Sequence, residues 1–134
     1  MNFPGKYENQ FYALMRIVIG LLFISHGIQK LGFIIGGTLP ASNILLLLAC
    51  LIESAAGLMI ITGWQTRWAA FISSGEMAVA YFKSHQPIGL LPIQNRGELA
   101  VLYCFVFLFI AAYGSGIWSI DRLRRKNKSR FRHN

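Results

Sequence analysis

Four long apolar stretches, divided by short links that carry glycine, proline and polar residues, set the pattern of this chain. They run at about 11–31, 43–62, 66–84 and 97–118. Each approaches the roughly 20 residues that a helix needs to cross about 30 Å of hydrocarbon. In segments this apolar the helical period is faint, so length carries the assignment. Gly63-Trp64-Gln65 is a tight turn, which makes the second and third helices antiparallel neighbours. The links at 32–42 and 85–96 are longer and hold Gly36-Gly37, Pro87, Gly89 and Pro92 as helix breakers. The pattern predicts an all-α fold: an integral membrane four-helix bundle of antiparallel, up-down topology over residues 1–121, followed by a basic tail at 122–134.

Polar positions inside the apolar stretches fall in stripes. In the first helix Arg16, Gly20, Phe23, Gly27 and Lys30 follow i+3/i+4 steps, with His26 at the edge. Cys50, Glu53 and Gly57 do so in the second helix, and Ala69, Ser73, Glu76, Ala80 and Lys83 in the third. Small residues let membrane helices approach closely. These faces are therefore expected to line a common interior, with Leu, Ile and Phe turned to lipid.

Composition points the same way. The chain is 54% hydrophobic and 13% charged, against about 25% charged in a soluble domain, so lipid is the expected solvent. The formal charge is +8, yet seven of the thirteen Lys and Arg residues lie between Arg122 and Arg132. A basic tail on a nearly balanced body does not suit nucleic-acid binding. Four spans put both termini on one side, and the tail makes that side cytoplasmic. Trp64, Trp68 and Trp118 fall at the same boundary, where amphipathic rings are favoured. The expected location is the inner (plasma) membrane of a prokaryote, multi-pass, with the tail resting on anionic lipid. The first stretch has no A-x-A site after it and ends at Lys30, so it reads as a span and not as a signal peptide. Cys50 and Cys104, without CxxC or metal spacing, read as core thiols.

Between Lys30 and Arg67, Glu53 is the only charged side chain. A carboxylate in that setting costs several kcal/mol unless it is protonated, paired or wetted, and intramembrane acids mark functional sites by default. Glu76 repeats the pattern in the next stretch. At 1.5 Å per residue both acids lie near mid-depth, about 15 Å from either boundary, with His26 roughly 9 Å below the outer one. Two ionised carboxylates at one depth repel, so at least one is expected to hold a proton, with His26 and Lys30 as the nearest cations for the other. Glu53, Glu76 and His26 are accordingly the candidate catalytic, proton-carrying groups, and Lys30, Glu98 and Arg16 the candidate ligand-binding groups.

Each has a plainer reading beside the functional one. The acids and His26 can form a static hydrogen-bonded plug. Lys30, Lys83, Arg16 and Arg96 can snorkel to headgroups. Glu98 can complement the dipole of the fourth helix. His85, in a link, and His133, in the tail, carry no assigned role. No i, i+4 His pair is present, so no metal site is expected. No phosphate loop, nucleophile elbow or dinucleotide fingerprint occurs, and no covalently bound cofactor is expected.

With these residues laid out, the chain resembles the DoxX/DoxD-like membrane family. Arg16-Ile-Val-Ile-Gly-Leu-Leu-Phe-Ile-Ser-His-Gly-Ile-Gln-Lys30 is similar to the family's R-x-x-x-G-x-x-F and HG-x-x-K. Glu53-Ser-Ala-Ala-Gly-Leu resembles E-x-x-G-G-x, and Gly63-Trp-Gln-Thr-Arg67 follows it. Asn95-Arg-Gly-Glu-Leu-Ala-Val-Leu-Tyr103 is close to N-G-G-E-L-A-L-L-Y, and Gly114-Ser-Gly-Ile-Trp-Ser-Ile-Asp121 to G-P-G-x-x-S-x-D. The likeness spans nearly the whole chain. Ala56 and Arg96 depart from it, each replacing a small or paired glycine position. Arg16, His26, Lys30, Glu53, Glu98 and Asp121 match motif positions, whereas Glu76 rests on the physical argument alone.

The resemblance implies a small four-helix membrane protein. It also implies a link to thiosulfate oxidation with quinone as acceptor, as in some relatives, or to oxidoreductase complexes that counter oxidative stress, as in others. The leading expectation is a quinone-associated redox or accessory subunit whose buried acids carry protons. Its electrons would come from a redox partner protein or soluble donor, and it would act alone or as a homo-oligomer. Two rivals stay open: a scaffold without catalysis of its own, and a small proton-coupled transporter.

Overall fold

The computed structural model describes residues 4–130; residues 131–134, His133 among them, lie outside the described residues. Six α-helices and no strand are present among the described residues. They are α1 (Glu8–Ile35), α2 (Ile44–Thr62), α3 (Thr66–Ala80), α4 (Pro92–Asn95), α5 (Glu98–Tyr113) and α6 (Ile120–Arg130). A π-helical turn, Tyr81–His85, prolongs α3. Among the described residues two helical segments are long and apolar enough to cross a membrane: Gly5–Ile35, which is α1 with its leading turn, and α2. At 16 residues α5 is apolar but shorter.

The boundaries follow local chemistry. α1 is longer at both ends than the predicted 11–31, because no breaker precedes Gly36-Gly37. At the start of α2, the Asn43 side chain accepts from the backbone N–H groups of Leu45 and Leu46, which is an N-cap. Gly63, at φ 70°, closes that helix in the left-handed region. The fourth apolar stretch does not stay helical to 118 as predicted. α5 stops at Tyr113, because Gly114, Gly116 and Trp118 all take positive φ. The basic segment expected only as a tail forms α6.

The four longer apolar helices share one core. Phe23 of α1, Ile60 of α2, Ala69 and Ala70 of α3, and Phe107 and Ile110 of α5 are buried together. Phe23 meets Phe107 edge-on with ring centroids 4.6 Å apart. The outward faces carry Leu21, Leu51, Phe71 and Phe105, all exposed, as the stripe pattern requires. α1 and α2 nearly touch backbone to backbone. A Cβ on Gly57 would stand 2.9 Å from the Ile24 nitrogen, and one on Gly27 would stand 2.8 Å from the Ser54 nitrogen. That approach is what small residues permit between apolar helices.

Arg16 was expected to snorkel, and the structure corrects this. It is fully buried. Its guanidinium donates to the carbonyls of Ile60, Ile61 and Trp118, the last at 2.8 Å. Ile60 and Ile61 lie in the last turn of α2, where carbonyls have no partner within the helix. Arg67 repeats the device on α5, donating to Ala111 at 2.9 Å, to Ala112, and to Tyr113 at 3.2 Å. Asp121 complements them by accepting from the backbone of Gln65 and Thr66 at the start of α3, at 3.0 and 3.2 Å.

Gly57→Leu is expected to lower stability by about 1–3 kcal/mol, the usual effect of overpacking, in thermal unfolding of the detergent-solubilised protein. Gly75→Ala, at a site where an added Cβ meets nothing within 4 Å, is expected not to lower it. Equal losses for the two variants would contradict the close α1–α2 approach.

Candidate functional site

The charged centre is built where α1 and α2 come closest. Gly27 lets Glu53 lie against α1, and Lys30 follows one turn later. Lys30 Nζ lies 2.7 Å from Glu53 Oε1, the only ion pair among the described residues. Glu53 is 2% exposed, whereas the Lys30 side chain keeps 30% of its surface open. Lys30 therefore does not simply snorkel; its ammonium turns back to the buried acid. Beside the pair, Cys50 Sγ donates to the Gly27 carbonyl at 3.3 Å. Both cysteines are free thiols.

Only half of the Glu53 carboxylate is used. Its Oε2 is buried without a hydrogen-bond partner among the described residues. A buried acceptor left in that state costs about 1–3 kcal/mol, more when charged. Glu53 lines a cavity of about 200 Å³ together with Lys30, His26, His85, Arg96 and Tyr103. The His26 ring stands perpendicular to Tyr103, centroids 6.1 Å apart.

The 85–97 link contributes two of these side chains, and Asn95 organises it. Buried at 2% exposure, Asn95 donates to the Gly89 carbonyl at 2.8 Å and to the Tyr81 hydroxyl at 3.3 Å. Its Oδ1 accepts from Gly97 N at 2.8 Å, and its carbonyl pairs with His85 Nδ1 at 3.1 Å.

A second space of about 500 Å³ adjoins the first, since Lys30 and Ala80 line both. It is a groove between α2 and α3, walled mainly by Leu45, Leu46, Ile52, Ile72 and Val79. Glu76 is the acid in this groove, and its Oε2 is also buried and unpartnered among the described residues. Glu76 lies within electrostatic reach of both Glu53 and Lys30.

Glu53, Lys30 and His26 are thus brought together, with Glu76 next door. Glu98 is exposed in the first turn of α5, outside the cavity, and Arg16 sits at the opposite end of the helices. His85, Arg96, Tyr103 and Asn95 belong to the site's surroundings although no sequence expectation gave them that place. The signal available for Asn95 was an Asn two residues before a glycine that opens a helix, a position suited to bonding its own backbone. No group of three His, Cys, Asp or Glu able to hold a metal occurs among the described residues.

Lys30→Met is expected to cost about 3–5 kcal/mol, since it leaves a buried charge uncompensated. The double variant Lys30→Met/Glu53→Gln should recover a large part of that loss, read as a double-mutant cycle by chemical unfolding in detergent. Strictly additive losses would show that the pair is not coupled.

Comparison with known proteins gives the family. The DoxX family profile matches residues 11–86, which hold α1, α2, α3 and the charged pair. A protein of Haemophilus influenzae is 42% identical over 90% of this chain and 96% of its own length. An uncharacterized membrane protein of Mycobacterium tuberculosis is 28% identical, over 81% of this chain and 77% of its own length. An inner membrane protein of Escherichia coli is 29% identical, over 90% of this chain and 97% of its own length. No solved structure matches. Profile and relatives together establish that the chain belongs to the DoxX family.

Proposed function

We propose that this DoxX-family membrane protein binds a membrane quinone at the Lys30–Glu53 pair and serves redox chemistry at the quinone pool, alone or as an accessory subunit. In this reading it is a multi-pass protein of a prokaryotic inner membrane, a four-helix bundle with up-down topology and both termini cytoplasmic. The E. coli relative, an inner membrane protein, supports the location. α3 with its π-helical turn and α5 would supply the two further crossings.

One observation carries the ligand class. A polar pocket lined by Glu53, whose Oε2 is buried and unpartnered among the described residues, lies beside an apolar groove of about 500 Å³ that shares Lys30 and Ala80 with it. Ligand pockets commonly measure about 300–1,000 Å³, mostly apolar with a few placed polar groups. A quinone has that division, a ring with two carbonyl oxygens and a long apolar tail. The Lys30 ammonium and the His26 ring are donors for a carbonyl, and the groove walls suit the tail. Reduction of the ring takes two electrons and two protons. Glu53 and Glu76 would relay the protons, and a partner protein or soluble donor would supply the electrons.

Mass spectrometry of the gently extracted protein should find a co-purifying quinone, and titration with a short-chain benzoquinone should saturate. Glu53→Gln should weaken binding of the corresponding benzoquinol about tenfold or more, because an ionised Glu53 oxygen accepts from a quinol hydroxyl, a charge-assisted bond that a quinone carbonyl cannot make. Absence of quinone, together with unchanged benzoquinol binding in Glu53→Gln, would reject the proposal in favour of a scaffold. Proton release on adding a lipophilic cation would favour a proton-coupled transporter.

A further inference from the structure

A third cavity, of about 600 Å³, lies at the opposite end of the helices from the Lys30–Glu53 pair. It is lined by Asn9, Tyr113, Ser115 and, from α6, Arg122, Arg125 and Lys126. The three cations fall on one face of α6 by i+3/i+4 spacing. None has a carboxylate partner among the described residues. Asp121 is turned to the backbone of Gln65 and Thr66, and Glu8, next to Asn9, makes no ion pair with them.

The site is built and not merely charged. Arg125 Nη2 donates to Ser115 Oγ at 3.2 Å, and its Nε donates to the Asp121 carbonyl at 3.4 Å. Ser115 is itself 3% exposed. The guanidinium is therefore set in place, with Arg122 and Lys126 one turn apart beside it. Tyr113, also in the lining, donates to Asn9 Oδ1 at 3.2 Å. Tyr113 in the lining, and Trp118 and Leu123 near the lining residues in the chain, leave apolar surface exposed. Such surface suits acyl chains and is wasted on a soluble ion.

We propose that this cavity binds the phosphate headgroup of one anionic phospholipid, held by Arg122, Arg125 and Lys126, with the acyl chains against Trp118 and Leu123. The proposal rests on the membrane orientation given above and not on quinone binding. Basic pockets beside membrane helices on the cytoplasmic side take such headgroups, and guanidinium groups meet phosphate oxygens in pairs. The binding differs from the diffuse attraction of a basic tail, in which every charge counts equally.

The test uses the full-length protein in phosphatidylcholine nanodiscs with a rising fraction of phosphatidylglycerol, read by native mass spectrometry of retained lipid. The expected result is saturation at one phosphatidylglycerol per chain. Arg122→Gln/Lys126→Gln should weaken retention about tenfold more than the charge-matched Arg124→Gln/Lys128→Gln, which removes cations outside the cavity. Arg125→Lys keeps net charge and should still weaken retention several-fold, because the bond to Ser115 is lost. Unfolding midpoints and short-chain benzoquinone binding should stay at the unmodified protein's values in all three variants. Equal losses for the two double variants, or no effect of Arg125→Lys, would overturn the site in favour of diffuse attraction. Displacement of the lipid by millimolar inorganic phosphate would overturn it in favour of a free-anion site.

Discussion

A carboxylate 2% exposed between two apolar helices is the constraint around which this molecule is arranged. Removing a charge from water costs several kcal/mol even after relaxation, and only a close, well-placed partner offsets that. Lys30 is that partner, at 2.7 Å, and the geometry depends on Gly27 and Gly57 bringing α1 and α2 together. The compensation is incomplete by one oxygen. Glu53 Oε2 is buried beside a cavity lined also by imidazole, guanidinium and phenol groups, so the unmet bond lies next to a space that a ligand could enter. A purely structural ion pair would gain from a donor placed on that oxygen.

The opposite end of the helices solves a different problem with the same residue type. Helix ends leave carbonyls unpaired, and in apolar surroundings water cannot satisfy them. Arg16 serves the end of α2 and Arg67 the end of α5. Each arginine sits on the first helix of a helical hairpin and caps the second. The two ends are thereby divided in labour. One spends its cations on backbone, which fixes the frame; the other directs a cation at an acid and leaves acceptor capacity over.

Much of this was legible in the residues. The polar stripes identified the inward faces, and Arg16, Gly20, Phe23 and Gly27 of α1 are all buried as the stripe required. Isolation of Glu53 in an uncharged run identified the acid, and the i, i+4 spacing of His26 and Lys30 gave its surroundings. The stripe placed Arg16 inward, but its partner was misread as a headgroup, because a headgroup and a bare helix end attract a guanidinium alike and spacing along one helix cannot tell them apart. The end of α5 was missed because Gly114-Ser-Gly-Ile-Trp118 reads as continued apolar helix unless positive φ is known. His85, Arg96 and Tyr103 reach the cavity from distant parts of the chain, and their meeting depends on how Asn95 folds the link.

The central claim is that Glu53 is a buried acid whose free oxygen meets the ligand. Infrared difference spectroscopy of the protein in lipid, recorded on reducing bound quinone, tests it most directly. Glutamate-specific isotope labelling would then identify the carboxyl bands. A glutamate band that shifts on quinone reduction and disappears in Glu53→Gln is the predicted result. A difference spectrum without glutamate bands, or with the same bands in Glu53→Gln, would contradict it.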